Sequence, residues 1–298
     1  MTEPFVDLGQ LMDRTEFPAR IIVKLGTRHC DFQETFRQIN VGSMTDQHRR
    51  AAGVLLPLLF REAFPGGKGQ FVFQLIKRSS LVPQPGDLSL PGGMLHPLLD
   101  RLLRPFLIHG PFPILSGKAR TYALHQQASD YRLITLFLTN ALRESWEEIR
   151  LSPARVHFLG PLPTYSLTLF RRTIFPLAGF VENPGPPRPN REVEKIVEIP
   201  LSSFYRENLF GCYRIDASDS KEHRSLQYPC LIHRDSDGAE EVLWGATFHI
   251  IISFLGIVMD YRLPEWMNGP VIVRNLRPDY LTGRPPSRAT SHLTKGCL

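Results

Sequence analysis

The sequence has few cysteines, and nothing in their arrangement indicates a disulfide framework or a zinc site. The four, Cys30, Cys212, Cys230 and Cys297, lie far apart, without a Cys-x-x-Cys pair or a histidine at zinc-ligand spacing. We therefore predict reduced thiols in a reducing compartment.

Long hydrophobic runs and a basic leader are also lacking. The most apolar stretch, residues 248–259, is too short to span a bilayer and contains His249 and Ser253. Residues 1–7 have neither a basic start nor a long apolar run, so we expect no secretory signal. These absences favour a cytoplasmic protein with no membrane partner.

The chain lacks a strong charge of one sign on its main part. Of the formal net charge of +6, residues 274–298 contribute +4, from five basic residues and one acidic residue. A protein that wraps nucleic acid shows clustered Lys and Arg among aromatic residues, and this pattern is missing. We expect no nucleic-acid partner, and we expect residues 263–298 to form a basic, Pro-containing, solvated tail.

The hydrophobic pattern predicts an α/β or α+β sandwich around a mixed sheet. Residues 1–45 are polar and irregular, which predicts an N-terminal extension with one short helix. The glycine-rich turn at residues 64–69 joins two apolar runs as a hairpin. The predicted strands are 53–60, 70–78, 156–159, 173–181 and 195–200, and the predicted helices are 136–150 and 245–259.

Three carboxylates crowd one predicted helix. Glu144 and Glu148 are one turn apart on the same face, and Glu147 lies beside them. Alone, this pattern is most often a solvated helix face. Such oxygen ligands are also what Mg²⁺ or Mn²⁺ prefers, and the neighbouring Arg143 can hold a carboxylate by a charge-assisted bond.

The motifs around this helix in the sequence favour the metal site. Upstream, the turn Pro91-Gly92-Gly93 offers a backbone carbonyl that no side chain obstructs. A glycine-led turn and a helix carrying Arg-Glu-x-x-Glu-Glu resemble the signature of the Nudix hydrolase family. Residues 75–93, 159–163, 192–201 and 244–247 also resemble motifs of its coenzyme A pyrophosphatase branch.

The resemblance implies a Nudix-type α-β-α sandwich over residues 46–262 and a small-molecule nucleotide substrate. It implies that Glu144, Glu147 and Glu148 bind Mg²⁺ or Mn²⁺ with the backbone carbonyl of Gly92 or Gly93, while Arg143 orients Glu144. Metal-activated water would then attack the pyrophosphate. Arg78 and Gly92 would contact the substrate. Glu192 is a candidate general base, although an exposed charge at a strand entrance explains it equally well.

The sequence departs from the family pattern in several places. Arg143 follows Gly93 by 50 positions, which implies an insertion of roughly 35 residues that can loop out at small entropic cost. This insertion, residues 95–135, is apolar enough to be a packed subdomain, a lid or a homodimer contact. Arg150 replaces the usual helix-ending glycine, His96 stands where an acidic residue is common, and the upstream motif lacks its usual basic residue.

Three functions remain open at the level of the sequence. The first is hydrolysis of coenzyme A or acyl-coenzyme A to 3′,5′-ADP and a 4′-phosphopantetheine product. The second is hydrolysis of ADP-ribose, NADH or another nucleoside diphosphate derivative. The third is a catalytically silent domain that binds a nucleotide or a protein, which the long insertion favours and the retained carboxylates oppose.

Overall fold

The structure is a computed structural model that describes residues 13–42, 50–62, 69–110, 113–167, 172–216, 225–275 and Tyr280. Cys297, residues 64–68 of the predicted turn, and residues 276–279 and 281–298 of the predicted tail lie outside these residues. The described helices are α1 (Glu16–Gly26), α2 (Phe32–Gly42), α3 (Pro97–His109), α4 (Gly117–His125), α5 (Ala128–Ile149) and α6 (Gly245–Met259).

The described strands form two sheets. The first has the order β3-β2-β1-β7-β5, with β4 and β8 pairing with β1 and β2 and with β6 pairing with β7. The second has the order β11-β10-β9-β12. Their bounds are β1 (Arg50–Arg61), β2 (Gln70–Arg78), β3 (Leu88–Ser89), β4 (Gly92–Met94), β5 (Val156–Pro161), β6 (Tyr165–Leu167), β7 (Arg172–Val181), β8 (Val193–Pro200), β9 (Phe210–Asp216), β10 (Ser225–Arg234), β11 (Glu240–Trp244) and β12 (Val271–Asn275).

The first sheet is mixed and buried on both faces. β1 runs parallel to β7 and antiparallel to β2, with Leu55 opposite Leu177 and Leu58 opposite Phe73. Successive side chains of β1 point to opposite faces, and the strand is buried from residue 52 to residue 59. A strand covered on both faces reads as a continuous apolar run, which is how residues 53–60 read in the sequence.

Helices cover each face of this sheet. On one face, the apolar stripe Phe17, Ile21 and Leu25 of α1 packs with α6 against the even-numbered side chains of β1. On the other face, α2 and α5 pack against Leu55 and Leu59. The predicted α-β-α sandwich around a mixed sheet is therefore confirmed.

The order of elements agrees with the prediction in several places. The hairpin of β1 and β2 is confirmed, as are strands at β5, β7 and β8 and the helix α6. Cys30, Cys212 and Cys230 are buried free thiols. Within the described residues, the helices are too short or too polar to cross a membrane.

The first 45 residues depart from the prediction of an irregular extension with one short helix. α1 and α2 both lie in this segment, and both contribute to the core through Phe17 and Phe32. Their apolar residues recur at helical spacing between many polar ones, so the segment's polar composition hid its amphipathic pattern. The boundary of the extension itself stays a prediction.

The helix that carries the carboxylates is longer than predicted. α5 begins at Ala128 rather than near residue 136, because Leu133, Ile134 and Phe137 continue its buried stripe. Upstream, α3 runs through Pro105, although proline usually breaks or kinks a helix. Pro105 and Arg101 are exposed, so the Arg101 carbonyl that loses its helical N–H partner lies on the solvent side.

Residues predicted as the tail include an ordered strand. β12 pairs in parallel with β9, and Arg274 and Tyr280 pack against the segment between β2 and β3. Arg274 and the hydroxyl of Tyr280 both donate hydrogen bonds to the carboxylate of Asp87. This part of the chain is thus tied to the upstream motif that precedes the glycine turn.

Candidate functional site

The candidate site lies where the last two turns of α5 meet β4. β4 pairs antiparallel with β1, which places Gly93 opposite Gly53 and Gly92 opposite Val54. A Cβ added to Gly93 would lie 2.5 Å from Cδ and 2.6 Å from Oε2 of Glu144. The backbone at Gly93 therefore touches the Glu144 carboxylate, although the two residues are 51 positions apart.

Gly92 is required by its backbone conformation and its surroundings. Its φ is +147°, and a Cβ there would lie 2.4 Å from the carbonyl oxygen of Gly53 and 2.6 Å from Cα of Val54. The N–H of Gly92 donates to Oε2 of Glu148 at 2.9 Å. One backbone turn thus contacts both Glu144 and Glu148.

Asn140 joins α5 to the two strands in front of it. Its side chain is completely buried, and its Oδ1 accepts the N–H of Gly53 at 2.8 Å. Its Nδ2 donates to the carbonyl of Met94 at 3.0 Å. Asn140 precedes Glu144 and Glu148 by one and two turns, so these three residues share a helix face. This buried amide fixes the distance between the helix and β4.

Asn140 was not predicted from the sequence, but a signal for it exists. An amide in the otherwise apolar stretch Leu-Phe-Leu-Thr-Asn-Ala-Leu is unusual, because a buried amide must satisfy its hydrogen bonds. Its spacing of four residues from Glu144 places it on the carboxylate face.

Glu148 is a buried carboxylate whose negative charge is only partly balanced by neighbouring groups. It is 7% exposed, and burial raises its pKa from 4.5 to about 8. The Gly92 N–H and the positive charge of Arg78 oppose this rise, whereas Glu144 and Glu192 add to it. Burial also raises the pKa of Glu144, although Arg143 opposes the rise. Both carboxylates lie in an environment that favours a nearby cation.

Arg143 is held by three carboxylates at once. Its Nε donates to Oδ1 of Asp100 at 2.7 Å, and its Nη2 lies 2.9 Å from Oε1 of Glu144. Its Nη1 donates to both oxygens of Glu147 at 3.2 Å. Burial alone would lower the pKa of Arg143, but these carboxylates raise it above its ordinary value.

Asp100 was not predicted from the sequence. It lies on α3 within the insertion, and its carboxylate is completely buried. The only sequence signal is its position as the single acidic residue in the apolar segment Pro97–His109.

The remaining predicted residues lie around this centre. Arg78, at the end of β2, donates from Nε to the carbonyl of Pro83 at 2.7 Å, and burial lowers its pKa while Glu148, Asp87 and Glu192 oppose that. Glu192 is exposed in the turn before β8, where its carbonyl accepts the N–H of Ser79 at 2.9 Å. Both residues interact electrostatically with Glu148.

The end of α5 takes the conformation that usually requires glycine. Arg150 has φ +59° and ψ +30°, in the left-handed region, and its N–H bonds to the Trp146 carbonyl at 3.0 Å. The Arg150 guanidinium lies 5.4 Å from the centre of the Trp146 ring. In addition, the N–H groups of Arg188 and Asn190 cap the carbonyls of Ile149 and Glu148. The replacement of glycine therefore leaves the carboxylates on a regular helix.

Carboxylate and carbonyl oxygens are ligands that a hard divalent cation prefers. In this structure, however, the side chains of Glu144 and Glu147 contact Arg143. In the part of the chain that is described, no three His, Cys, Asp or Glu side chains converge on one cation position. Glu148 is buried and Glu144 is partly buried, whereas Glu147 is half-exposed and turned towards Arg143. A cation at Glu144 and Glu148 would offset the cost of burying two negative charges.

Comparisons with known proteins give the following likenesses. No family model and no curated protein matches the chain. Among solved structures, a MutT/nudix family protein from Enterococcus faecalis has a TM-score of 0.37 and 12% identity, covering 77% of this chain and 73% of that one. A Nudix hydrolase from M. smegmatis, RenU, has a TM-score of 0.31 and 15% identity, covering 51% and 71%. A C. elegans Ap4A hydrolase has a TM-score of 0.31 and 13% identity, covering 51% and 81%.

Proposed function

We propose that this chain is a metal-dependent hydrolase of the pyrophosphate linkage in a nucleoside diphosphate derivative. The observation that carries the proposal is the contact between the Gly93 backbone and the Glu144 carboxylate, next to the buried Glu148. A glycine turn that meets buried carboxylates on a helix is suited to binding Mg²⁺ or Mn²⁺ through oxygen atoms alone.

The burial of the carboxylates supports a cation at this place. Glu144 and Glu148 lie in the last two turns of α5, where the helix dipole adds negative potential. Burial raises the pKa of both side chains, which means that their charged forms lack sufficient positive charge nearby. In the proposed complex, Glu144 and Glu148 would hold the cation with the carbonyl of Gly93, and Glu147 is the third carboxylate that the resemblance implies.

The protein's own groups have defined roles in the proposed reaction. When bound, the divalent cation supplies a water molecule of lowered pKa and neutralises charge on the phosphates. The N–H of Gly92 holds Oε2 of Glu148, and Arg143 holds the carboxylate of Glu144. Glu192, exposed beside this centre, is the proposed base that accepts the proton of the attacking water.

The proposed substrate is coenzyme A or an acyl-coenzyme A, with 3′,5′-ADP and 4′-phosphopantetheine, or its acyl derivative, as products. The support is the resemblance of residues 75–93 and 159–163 to motifs of the coenzyme A branch. Arg78 is the proposed contact for a substrate phosphate, because it is a cation beside Glu148 at the edge of the carboxylate cluster. ADP-ribose, NADH and other nucleoside diphosphate derivatives are the alternative substrates.

A hydrolysis screen tests the proposal. The purified chain is incubated with coenzyme A, acyl-coenzyme A, ADP-ribose and NADH, each with Mg²⁺ or Mn²⁺, and the products are identified by mass spectrometry. We expect 4′-phosphopantetheine from coenzyme A, and we expect Glu147→Gln to abolish its release. Turnover of ADP-ribose alone would overturn the coenzyme A assignment but keep the hydrolase.

The screen also separates an enzyme from a binding module. If the parent and Glu147→Gln show the same background hydrolysis of every substrate, the hydrolase proposal is wrong. A catalytically silent nucleotide- or protein-binding domain then becomes the better account of the chain.

A further inference from the structure

The helix α3 of the insertion turns large apolar side chains towards solvent. Leu98, Leu102 and Phe106 recur at every fourth position, so they follow one another along one face of the helix. Their exposed fractions are 78%, 67% and 67%. Apolar residues on a protein surface are normally scattered singly, and a contiguous set indicates an interaction site. We call these three side chains the α3 ridge.

Polar contacts hold α3 with this ridge outward. The opposite side of the helix faces α5, where the completely buried Asp100 accepts Nε of Arg143 at 2.7 Å. Arg104 donates from Nε to Oγ1 of Thr135 on α5 at 2.6 Å. A surface helix usually turns its apolar stripe to the core, whereas α3 buries its single acidic residue and exposes its leucines. The exposure of the ridge is therefore built into the fold.

The insertion, residues 95–135, surrounds the ridge with positive charge. Its two acidic residues, Asp100 and Asp130, are both buried. Its basic residues are Arg101, Arg104, Lys118, Arg120 and Arg132, and all except the partly buried Arg104 are exposed. Arg101 lies at the edge of the ridge, and Arg132 is close enough to Arg104 to lower its pKa. The half-exposed Glu147 on α5 is already paired with Arg143.

This charge pattern selects among the surfaces that could cover the ridge. Two copies of the chain packed ridge to ridge would bring Arg101 of each copy towards the other, and like charges placed together at an interface are unfavourable. A surface that is apolar inside and negatively charged outside complements both the ridge and its basic surroundings. A lipid bilayer with anionic headgroups has this structure, and it accepts protruding side chains without a preformed groove.

We propose that the α3 ridge docks on an anionic lipid surface, with its three apolar side chains at the boundary between headgroups and acyl chains and Arg101 at the headgroups. The prediction of no membrane partner rested on the lack of a spanning run, and a helix that lies along a lipid surface needs no such run. The proposed hydrolase function plays no part in this contact.

Vesicle sedimentation tests the docking. The full chain, in buffer without divalent cations, is mixed with vesicles of phosphatidylcholine and phosphatidylserine in equal parts, or of phosphatidylcholine alone. We expect binding to the mixed vesicles that weakens by about fivefold for each basic residue at the surface when phosphatidylserine is left out. Added salt should weaken it as well, because salt screens the attraction between headgroups and arginines.

Leu102→Ser is the main test variant. Removing one leucine from the acyl boundary should weaken vesicle binding by about tenfold, and the triple variant Leu98→Ser/Leu102→Ser/Phe106→Ser should weaken it by about 100-fold or more. Because these side chains are exposed, the melting temperature should stay at the parent value. Arg101→Gln should weaken binding about fivefold to the mixed vesicles and leave binding to phosphatidylcholine unchanged.

The turn region after α6 provides matched controls. Met267 is 67% exposed, as Leu102 is, and Arg262 is exposed as Arg101 is. α6 packs on the face of the first sheet opposite to α5, so this region lies away from the helix that carries α3. We expect Met267→Ser and Arg262→Gln to bind both kinds of vesicle as the parent does.

A fluorescence measurement reports insertion directly. Phe106→Trp places an indole on the ridge, and Met267→Trp places one at the control position. Lipids with brominated acyl chains should quench the first more than the parent, because its indole reaches the acyl boundary, and should leave the second no more quenched than the parent.

The outcomes decide between the ridge and other parts of the chain. If Leu102→Ser and the triple variant bind mixed vesicles as tightly as the parent, another segment binds the lipid and the proposal is wrong. A parent that does not bind the mixed vesicles also overturns it. If such a parent sediments as a dimer that Leu102→Ser dissociates, a second copy covers the ridge instead of a lipid surface.

Discussion

Gly93→Ala gives the sharpest test of the contact between β4 and α5. The added Cβ would lie 2.5 Å from Cδ of Glu144 and 2.6 to 2.8 Å from its two oxygens. Carbon atoms in contact normally stay about 3.5 Å or more apart, so the Glu144 carboxylate must move by about 1 Å. We expect this movement to take Glu144 out of its position beside Gly93.

The size of the effect follows from that displacement. Misplacing a group by about 1 Å can cost about 10²-fold in rate, and we expect a loss of this size in kcat/KM for coenzyme A. The free energy of unfolding should change little. Replacing glycine by alanine lowers the conformational entropy of the unfolded chain, which stabilises the fold by about 0.4 to 1 kcal/mol. That gain offsets part of the strain at Glu144. The assay is steady-state hydrolysis together with urea unfolding of the same preparations.

Two further glycines provide controls. Gly256, inside α6, has only the Tyr261 carbonyl at 3.6 Å from an added Cβ, so Gly256→Ala should keep full activity. Gly92→Ala meets backbone atoms and carries φ +147°, so it should destabilise the fold itself. If Gly93→Ala hydrolyses coenzyme A as fast as the parent, the Gly93–Glu144 contact plays no part in the reaction.

Further predictions concern pH, the buried amide and the segment around Asp87. Burial raises the pKa of Glu148 in the folded chain to about 8, so the fold favours the neutral form of this side chain. Its contribution to the stability of the metal-free protein is therefore full below about pH 4.5 and is lost as the pH rises to about 8. Melting temperatures measured across this range should fall, and Glu148→Gln should remove the fall. Asn140→Ala should lower the free energy of unfolding by about 1 to 3 kcal/mol, because the Gly53 N–H loses its buried acceptor; a change under 0.5 kcal/mol in urea unfolding would refute the role of Asn140 in joining β1, β4 and α5. Asp87→Asn should lower the free energy of unfolding by about 1.5 to 3 kcal/mol, because Arg274 and Tyr280 lose the charge of the acceptor that they share. Limited proteolysis should then cut after α6 sooner than in the parent; unchanged cleavage would show that Asp87 does not hold the C-terminal strand.

The parts of the fold that the sequence predicted are those with a regular hydrophobic period. β1 and β2 are continuous apolar runs around a glycine turn, and α6 is apolar throughout, so both were predicted close to their observed bounds. The second sheet was missed because β9 and β10 mix polar and apolar residues at its surface. Short strands such as β4 form only through partners that are distant in sequence.

The candidate site likewise has a part that the sequence predicted and a part that it did not. The carboxylates and the glycine turn stand in short local motifs, so the sequence alone named Glu144, Glu147, Glu148 and Gly93. Asp100 belongs to no such motif, and its relation to Arg143 arises only when α3 packs against α5. A contact across 43 residues between two helices cannot be read from either helix alone.

The charge balance around α5 is the physical reason to expect a cation there. Glu144, Glu147, Glu148 and Asp100 bring four carboxylates to one place, and α5 adds the negative end of its dipole. Arg143 is one positive charge shared among three of these groups, and Glu148 is left to the Gly92 N–H and the charge of Arg78. A fold under no functional demand would replace Glu148 by an apolar residue, since burying an unpaired carboxylate costs several kcal/mol. A divalent cation between Glu144 and Glu148 removes that cost, whereas a protonated Glu148 removes it only below its own pKa, so metal binding and proton release should be coupled in this chain.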